Sequence, residues 1–224
     1  MSTYLRVAVY TVLGFVLFGV LLFWPAGTFD YWQAWAVLAI MLLLSIPYTL
    51  YLAIRRPDVL QRRLRSGPVA ESRGTQKLAV GLLQVFFLAM MVVSAFDHRF
   101  GWSHVPFWLC VVGIALTALG YGLAILVVVQ NSWAAATIAV EAGQELVSTG
   151  LYGVVRHPMY TGALIMLAGM PLGLGSYWGL LPGLIAAVAL ILRILDEEKM
   201  LVQDLAGYPD YRRRVPYRLV PYLW

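Results

Sequence analysis

Between Gly150 and Gly162 the chain reads GLYGVVRHPMYTG, which sets an arginine, a histidine and two tyrosines at the mouth of an apolar run. Pro158 fits the first position of a helix, where its missing N–H leaves no bond unmade and its φ is already helical. Arg156 and His157 then stand just before a helix N-terminus, whose unpaired N–H groups and partial positive charge suit an anionic ligand group. Tyr152 and Tyr160 flank them, and Gly150, Gly153 and Gly162 let backbone approach a ligand closely. A second apolar run ends in Asp196, Glu197 and Glu198, and ionisable groups at membrane level are functional candidates by default. The expected partners are Arg156 with Glu197 or Glu198. Plainer readings stand beside these. Arg156 also serves as a juxtamembrane anchor and His157 as an interfacial histidine. Arg193 and Glu197, four apart on one helix face, pair locally for a few tenths of a kcal/mol.

The elements that must position these groups are membrane helices. Of 224 residues, 61% are hydrophobic and 12% charged, against roughly 25% charged in soluble domains; mean hydropathy is +0.78. The expected fold is all-α, a polytopic integral membrane protein with six crossings. Four spans are expected at Val7 to Phe23, Trp32 to Ile54, Leu78 to Phe96 and Pro106 to Val129, each long enough to cross most of a hydrocarbon core of roughly 30 Å. The first run lacks a small-residue cleavage site and reads as a retained span. From Met159 to Leu195 the chain is apolar again, broken by Pro171, Gly173, Gly175, Ser176 and Gly179 into a tight hairpin of two short arms. Gly169 with Gly173, and Gly175 with Gly179, have the small-xxx-small spacing of close helix contacts. Two regions follow: a four-helix N-terminal part, 1–130, and a C-terminal part, 131–224, that carries the chemistry, the hairpin and a C-terminal helix and tail. Arg55, Arg56, Arg62, Arg63, Arg65 and Arg73 put the second loop in the cytoplasm, and with it both termini and the site.

Composition also excludes. The net charge of +5 is what cytoplasmic loops collect and calls for no nucleic-acid partner. Cys110 is alone, so no internal disulfide forms. No Cys/His spacing suggests a metal, and His98 and His104 are isolated in an outer loop. GLGSYWG misses the dinucleotide-binding spacing, and no P-loop is present. Scarce charges in the first four spans argue against a pump or channel. The tail GYPDYRRRVPYRLVP is either a polybasic strip on anionic headgroups, the reading for Arg212 to Arg214, or a lid over a pocket. Nothing in the composition assigns an oligomeric state.

Taken together and in order, GLYGVVRHPMYTG, RILDEEKMLVQDL and GYPDYRRRVPYRLVP resemble the isoprenylcysteine carboxyl methyltransferase family and its relatives among the phospholipid methyltransferases. The likeness runs from Asn131 to the C-terminus; the first four spans match only in being apolar, and the N-terminal side is shorter than in the eukaryotic enzymes. The resemblance implies an integral-membrane methyltransferase that uses S-adenosylmethionine without a Rossmann domain, in a cytoplasm-facing pocket, on a lipophilic acceptor that arrives from the bilayer. It assigns Arg156, His157, Pro158, Tyr160, Glu197 and Glu198 to the cofactor, with Leu146, Val147, Gly150 and Tyr152 on the loop leading in. Arg156, Glu198 and Arg218 become the catalytic residues, and Tyr208 and Tyr211 match the tail motif. Membrane lipids are the other expected partners, and a bacterial inner membrane is the expected location.

The chemistry agrees. Methyl transfer from a sulfonium is an in-line displacement that needs near-attack geometry above all. A carboxylate acceptor is already ionised and needs only a partner such as Arg156 or Arg218. Trp133, Tyr152 and Tyr160 offer faces to a sulfonium. The acidic pair binds the cofactor's ammonium or ribose hydroxyls, or holds Arg156; the residues leave that choice open. A phospholipid amine or small thiol would need a base, with Glu197, Glu198 or His157 as candidates. A non-catalytic scaffold for anionic lipid is the remaining alternative.

Overall fold

The structure, a computed structural model, describes residues 3–64, 71, 73–134 and 143–224; Arg65 lies outside the described residues. All regular structure among them is helical: α1 (Thr3–Ala26), α2 (Trp32–Arg55), α3 (Pro57–Leu64), α4 (Gly74–Phe100), α5 (Phe107–Gln130), a 3-10 turn (Gly150–Gly153), α6 (Pro158–Gly173), α7 (Leu180–Asp204) and α8 (Tyr208–Arg214). Four of these, α1, α2, α4 and α5, are long and apolar enough to cross a membrane. Their bounds bracket the first three expected spans and match the fourth to within one residue, Pro106 being the N-cap of α5, because each apolar run is closed by a turn residue or a charge. Of the two short hairpin arms, α6 is as short as expected and α7 is longer. α6 has 16 residues, about 24 Å at 1.5 Å each, short for a full crossing. α7 has 25 and continues past Leu195 without a break, carrying Asp196, Glu197 and Glu198 inside a helix rather than at its end.

One helix was hidden in the basic loop. α3 starts on Pro57, uses an Asp58–Arg62 ion pair of 2.7 Å one turn apart, and buries Val59 and Leu60 against Leu52, Ala53 and Val128. It lies across the ends of α2 and α5 and so borders the site end of the bundle.

Glycines set the α5–α6 contact. A Cβ on Gly169 would come within 2.8 Å of the Gly113 carbonyl, and one on Gly162 within 2.6 Å of the Gly120 carbonyl. A Cβ on Gly113 would fall on the Gly173 amide. The expected pair Gly169 and Gly173 is therefore used, with Gly113 on α5 as its glycine partner, while Gly120 on α5 faces Gly162. Gly175 (φ +76°) serves the hairpin turn instead, and Gly179 packs on Ser94 of α4.

At the opposite end from the site, the buried Asp97 carboxylate accepts the Ser103 amide and hydroxyl, both at 2.6 Å, and the Ser176 hydroxyl at 2.5 Å. Tyr31 donates to the Leu174 carbonyl at 2.6 Å. These bonds tie the α6–α7 turn to α2 and α4, so the hairpin is anchored at its closed end while its open end carries the chemistry.

Candidate functional site

Pro158 is the first residue of α6 and His157 its N-cap, as the spacing implies. The unpaired amides there are met by the tail. Arg156 N–H donates to Tyr217 O at 3.0 Å and His157 N–H to Arg218 O at 2.9 Å; the Thr161 hydroxyl reaches Leu219 O at 2.8 Å. The helix start is thus occupied by protein. Its guanidinium turns inward: Arg156 Nε donates to Glu198 Oε1 at 2.7 Å and Nη1 to Val215 O at 2.7 Å.

Glu198 is the hub of this end. Its Oε1 also lies 3.3 Å from His157 Nε2, and its Oε2 accepts Arg218 Nε at 2.9 Å. Arg156, His157 and Glu198 are all buried. Burial alone raises the Glu198 pKa, but the hydrogen bonds and charges of His157 and Arg156 outweigh it and hold the carboxyl well below the usual range. A depressed folded pKa contributes stability above the unfolded value, about 4.3, that is lost as pH falls through the folded one. Unfolding resistance in detergent is therefore expected to be flat from pH 7 to about 5 with respect to this group and to decline below about 4.3. An acid limb of unchanged size in Glu198→Gln would remove Glu198 as its source.

Glu197 points elsewhere. Its Oε2 accepts the Tyr160 hydroxyl at 2.7 Å, and that hydroxyl accepts Arg193 Nε at 3.0 Å. Arg193 Nη1 continues to Glu71 Oε1 at 2.8 Å and Gln76 Oε1 at 3.2 Å. Arg73 and Gln76 bind Asp196. The acidic run is consequently divided among three sets of partners on α4, α6 and the tail. Arg193 is buried and engaged by groups more than a hundred residues away in sequence, which the local pairing with Glu197 did not foresee. Glu71 and Gln76 gave no sequence signal, since one lies in a polar loop and the other opens an ordinary apolar helix.

Over these groups lies a cleft enclosing about 820 Å³ of space continuous with solvent, lined from the described residues by Leu146, Val147, Tyr152, Arg156, His157, Pro158, Tyr160 and Glu197. Eight of the expected site residues thus converge. Glu198 and Arg218 stand behind the lining, and Gly150 supports it from outside: its φ of +59° lets the loop lie against the Gln130 side chain, whose Oε1 accepts Leu151 N–H at 3.1 Å. The rest of the wall comes from Asn131, Trp133, Ala134, Gln144, Glu145, Met159, Met200, Leu201, Leu205, Tyr208 and Tyr211. Met200, Leu201, Leu205 and Tyr208 follow Glu197 at helical spacing, a signal available in the sequence.

Two tyrosines define the polar character of the wall. Tyr211 donates to Tyr152 O at 2.7 Å. The Tyr208 hydroxyl is buried and has no partner among the described residues. Burial, aided by the Glu198 charge, pushes its pKa up; burial likewise pushes Tyr152 up to about 12, against a hydrogen bond from Asn131. Both are neutral donors at physiological pH, and a buried unpaired hydroxyl carries a desolvation cost that a ligand acceptor would relieve.

Comparison with known proteins falls on this same part of the chain. Residues 108–206 match the family model described as phospholipid methyltransferase, a stretch that opens in α5 and closes just past α7, short of Tyr208, Tyr211 and Arg218. A segment of 91 residues is 34% identical to a Delta(14)-sterol reductase of Mus musculus, covering 39% of this chain and 22% of the relative. The chain thus spans about a fifth of that relative's length. The chain therefore has four helices apolar enough to span a bilayer and a region, residues 108–206, similar to the phospholipid methyltransferases.

Proposed function

We propose that this chain is an S-adenosylmethionine-dependent membrane methyltransferase, similar to the isoprenylcysteine carboxyl methyltransferases, that transfers a methyl group to a lipophilic acceptor, with a carboxylate favoured. The observation that carries it is the cleft between α6 and α7, where a carboxylate (Glu197), an aromatic wall (Trp133, Tyr152) and an orphaned hydroxyl (Tyr208) face one space. These groups fit the cofactor: Glu197 suits its ammonium or ribose hydroxyls, the aromatic faces suit a sulfonium, and Tyr208 has a donor to give. When bound, S-adenosylmethionine supplies an electrophilic methyl group.

What the chain itself contributes is charge balance and position. Glu198 pairs with both Arg156 and Arg218, Glu71 pairs with Arg193, and Glu197 adds a third carboxylate through the Tyr160 hydroxyl, so the basic lip does not repel a cationic donor. Because Arg156 is committed to Glu198 and Val215, its part is to fix the tail against α6. Arg218, with its side chain 23% exposed, is the cation left to orient an acceptor carboxylate. The acceptor would approach from the bilayer beside α5. Arg55, Arg56, Arg62 and Arg63 at this end of the bundle favour a cytoplasmic site, with a bacterial inner membrane as the host.

The test is calorimetry in detergent. The parent is expected to bind S-adenosylmethionine; Tyr208→Phe should weaken binding about fivefold to tenfold at unchanged thermal stability, the size of one hydrogen bond. Glu197→Gln should weaken it at least as much. The similarity to a reductase sets the second arm: binding of a reduced nicotinamide dinucleotide, and not of S-adenosylmethionine, would replace this reading with a reductive one. Folded protein that binds neither would leave the lipid scaffold.

A further inference from the structure

Away from the cleft, a groove between α2 and α5 is lined by Leu44, Pro47, Tyr48, Gly122, Leu123 and Leu126 and encloses about 1190 Å³ open to its surroundings. From Ala118 to Val129 along α5 it runs roughly 16 Å, about half a hydrocarbon core and so the depth of one leaflet. Its sides are apolar, but its site-ward end is not. The Tyr48 hydroxyl is buried there with no partner among the described residues. Tyr48 also walls a second hollow, between α1, α2 and α3, that contains Tyr10, Thr49 and Arg63.

Arg63 is half-buried and donates one nitrogen to Ala134 O at 3.2 Å; among the described residues it meets no carboxylate. A half-buried cation that meets no carboxylate among the described residues therefore shares the α1–α2–α3 hollow with Tyr48, whose buried hydroxyl has no partner among them, and Tyr48 also lines the apolar α2–α5 groove, one leaflet deep. Arg55 and Arg56 raise the local positive potential, while Arg62 is paired with Asp58. The packed side chains of Leu52, Leu60, Val128 and Met159 lie between this place and the cleft, which sets it apart from the site proposed for methyl transfer.

We propose that this is a binding site for one anionic phospholipid, its phosphate held by Arg63 and the Tyr48 hydroxyl and an acyl chain lying in the α2–α5 groove. A zwitterionic lipid leaves the excess charge of Arg55, Arg56 and Arg63 uncompensated, whereas an anionic one neutralises it, and basic pockets between membrane helices select anionic headgroups for this reason. Arg63 links the lipid to the cleft through Ala134, which lines it.

Native mass spectrometry of the full chain in uncharged detergent, titrated with equal amounts of phosphatidylglycerol and phosphatidylcholine, tests it. One phosphatidylglycerol should be retained per chain with about a fivefold preference, the ratio for one basic residue at the surface. Arg63→Gln should erase the preference and Arg63→Lys keep most of it, which separates loss of the charge from loss of the fold. Gly122→Leu, at a position where a Cβ meets nothing within 4 Å, should reduce retention of both lipids by filling the groove. Arg213→Gln, on the exposed face of α8, should change nothing. Equal retention of the two lipids by the parent, a preference that survives Arg63→Gln, or one that Arg213→Gln also removes, overturns the site. Displacement of the phospholipid by palmitate would assign the groove to a fatty carboxylate and overturn the phospholipid.

Discussion

Glu198→Gln is expected to lower binding of S-adenosylmethionine by at least about a hundredfold and to cost about 3–5 kcal/mol of stability, the usual result of leaving a buried charge without its partner. Both carboxylate oxygens are in use, Oε1 on Arg156 and His157 and Oε2 on Arg218. An amide at this position keeps one acceptor and turns an NH₂ toward a cation. Arg156 is 5% exposed and Glu198 4%, so water is a poor substitute. Without the hub, the tail from Val215 to Leu219 loses the Arg218 tie to α7 and keeps the main-chain bonds of Arg156 and His157, the Arg156 bond to Val215 O and the Thr161 bond to Leu219 O. The tail brings Tyr208 and Tyr211 to the cleft wall, so the binding defect follows from the structural one. Denaturant unfolding in detergent and calorimetry on the same preparations measure the two effects. Combining Glu198→Met with Arg156→Met should recover part of the stability but none of the binding, because an apolar pair tolerates burial and orders nothing. Stability within about 0.5 kcal/mol of the parent in Glu198→Gln would show that the hub is dispensable.

Gly120→Leu is the second large effect. The atoms nearest a new Cβ are the Gly162 carbonyl and the Met166 amide of α6, main-chain groups that cannot swing aside. Overpacking a core usually costs about 1–3 kcal/mol through side-chain adjustment; here the helix itself must move, and more than about 3 kcal/mol is expected. Because α6 carries His157 to Tyr160 at its start, separation from α5 also opens the cleft, and cofactor binding should fall with stability. Gly14→Leu on α1, where a Cβ meets nothing within 4 Å, is the matched control and should unfold with the parent. Equal unfolding of the two variants would mean that the α5–α6 contact does not hold the site together.

Much of this protein is local in origin and was legible for that reason. An apolar run of twenty or so residues forms a helix whatever its neighbours are, because no other structure satisfies its backbone bonds in lipid. Pro158 starts α6 by its own ring, and Gly175 turns the hairpin by its own φ. The residues that converge on the cleft from Leu146 to Tyr160 were close in sequence already. α3 escaped because its eight residues are too few and too charged to stand out from a basic loop until Val59 and Leu60 find Leu52 and Val128.

What tertiary structure alone decided is how the charges divide. Glu197 and Glu198 are neighbours, so their side chains leave α7 about 100° apart. One faces Tyr160 and the cleft; the other faces Arg156 and the tail. The sequence by itself named the arginine and the acidic pair and left open which of them met, since that depends on the rotation of α7 against α6. That rotation is set by packing far from the charges, at Gly183 on Leu167 and Gly179 on Ser94. Arg193 had a ready partner four residues on, and instead it is held by Glu71 and Gln76 from across the bundle. A buried guanidinium needs several acceptors at once, and one helix face offers too few.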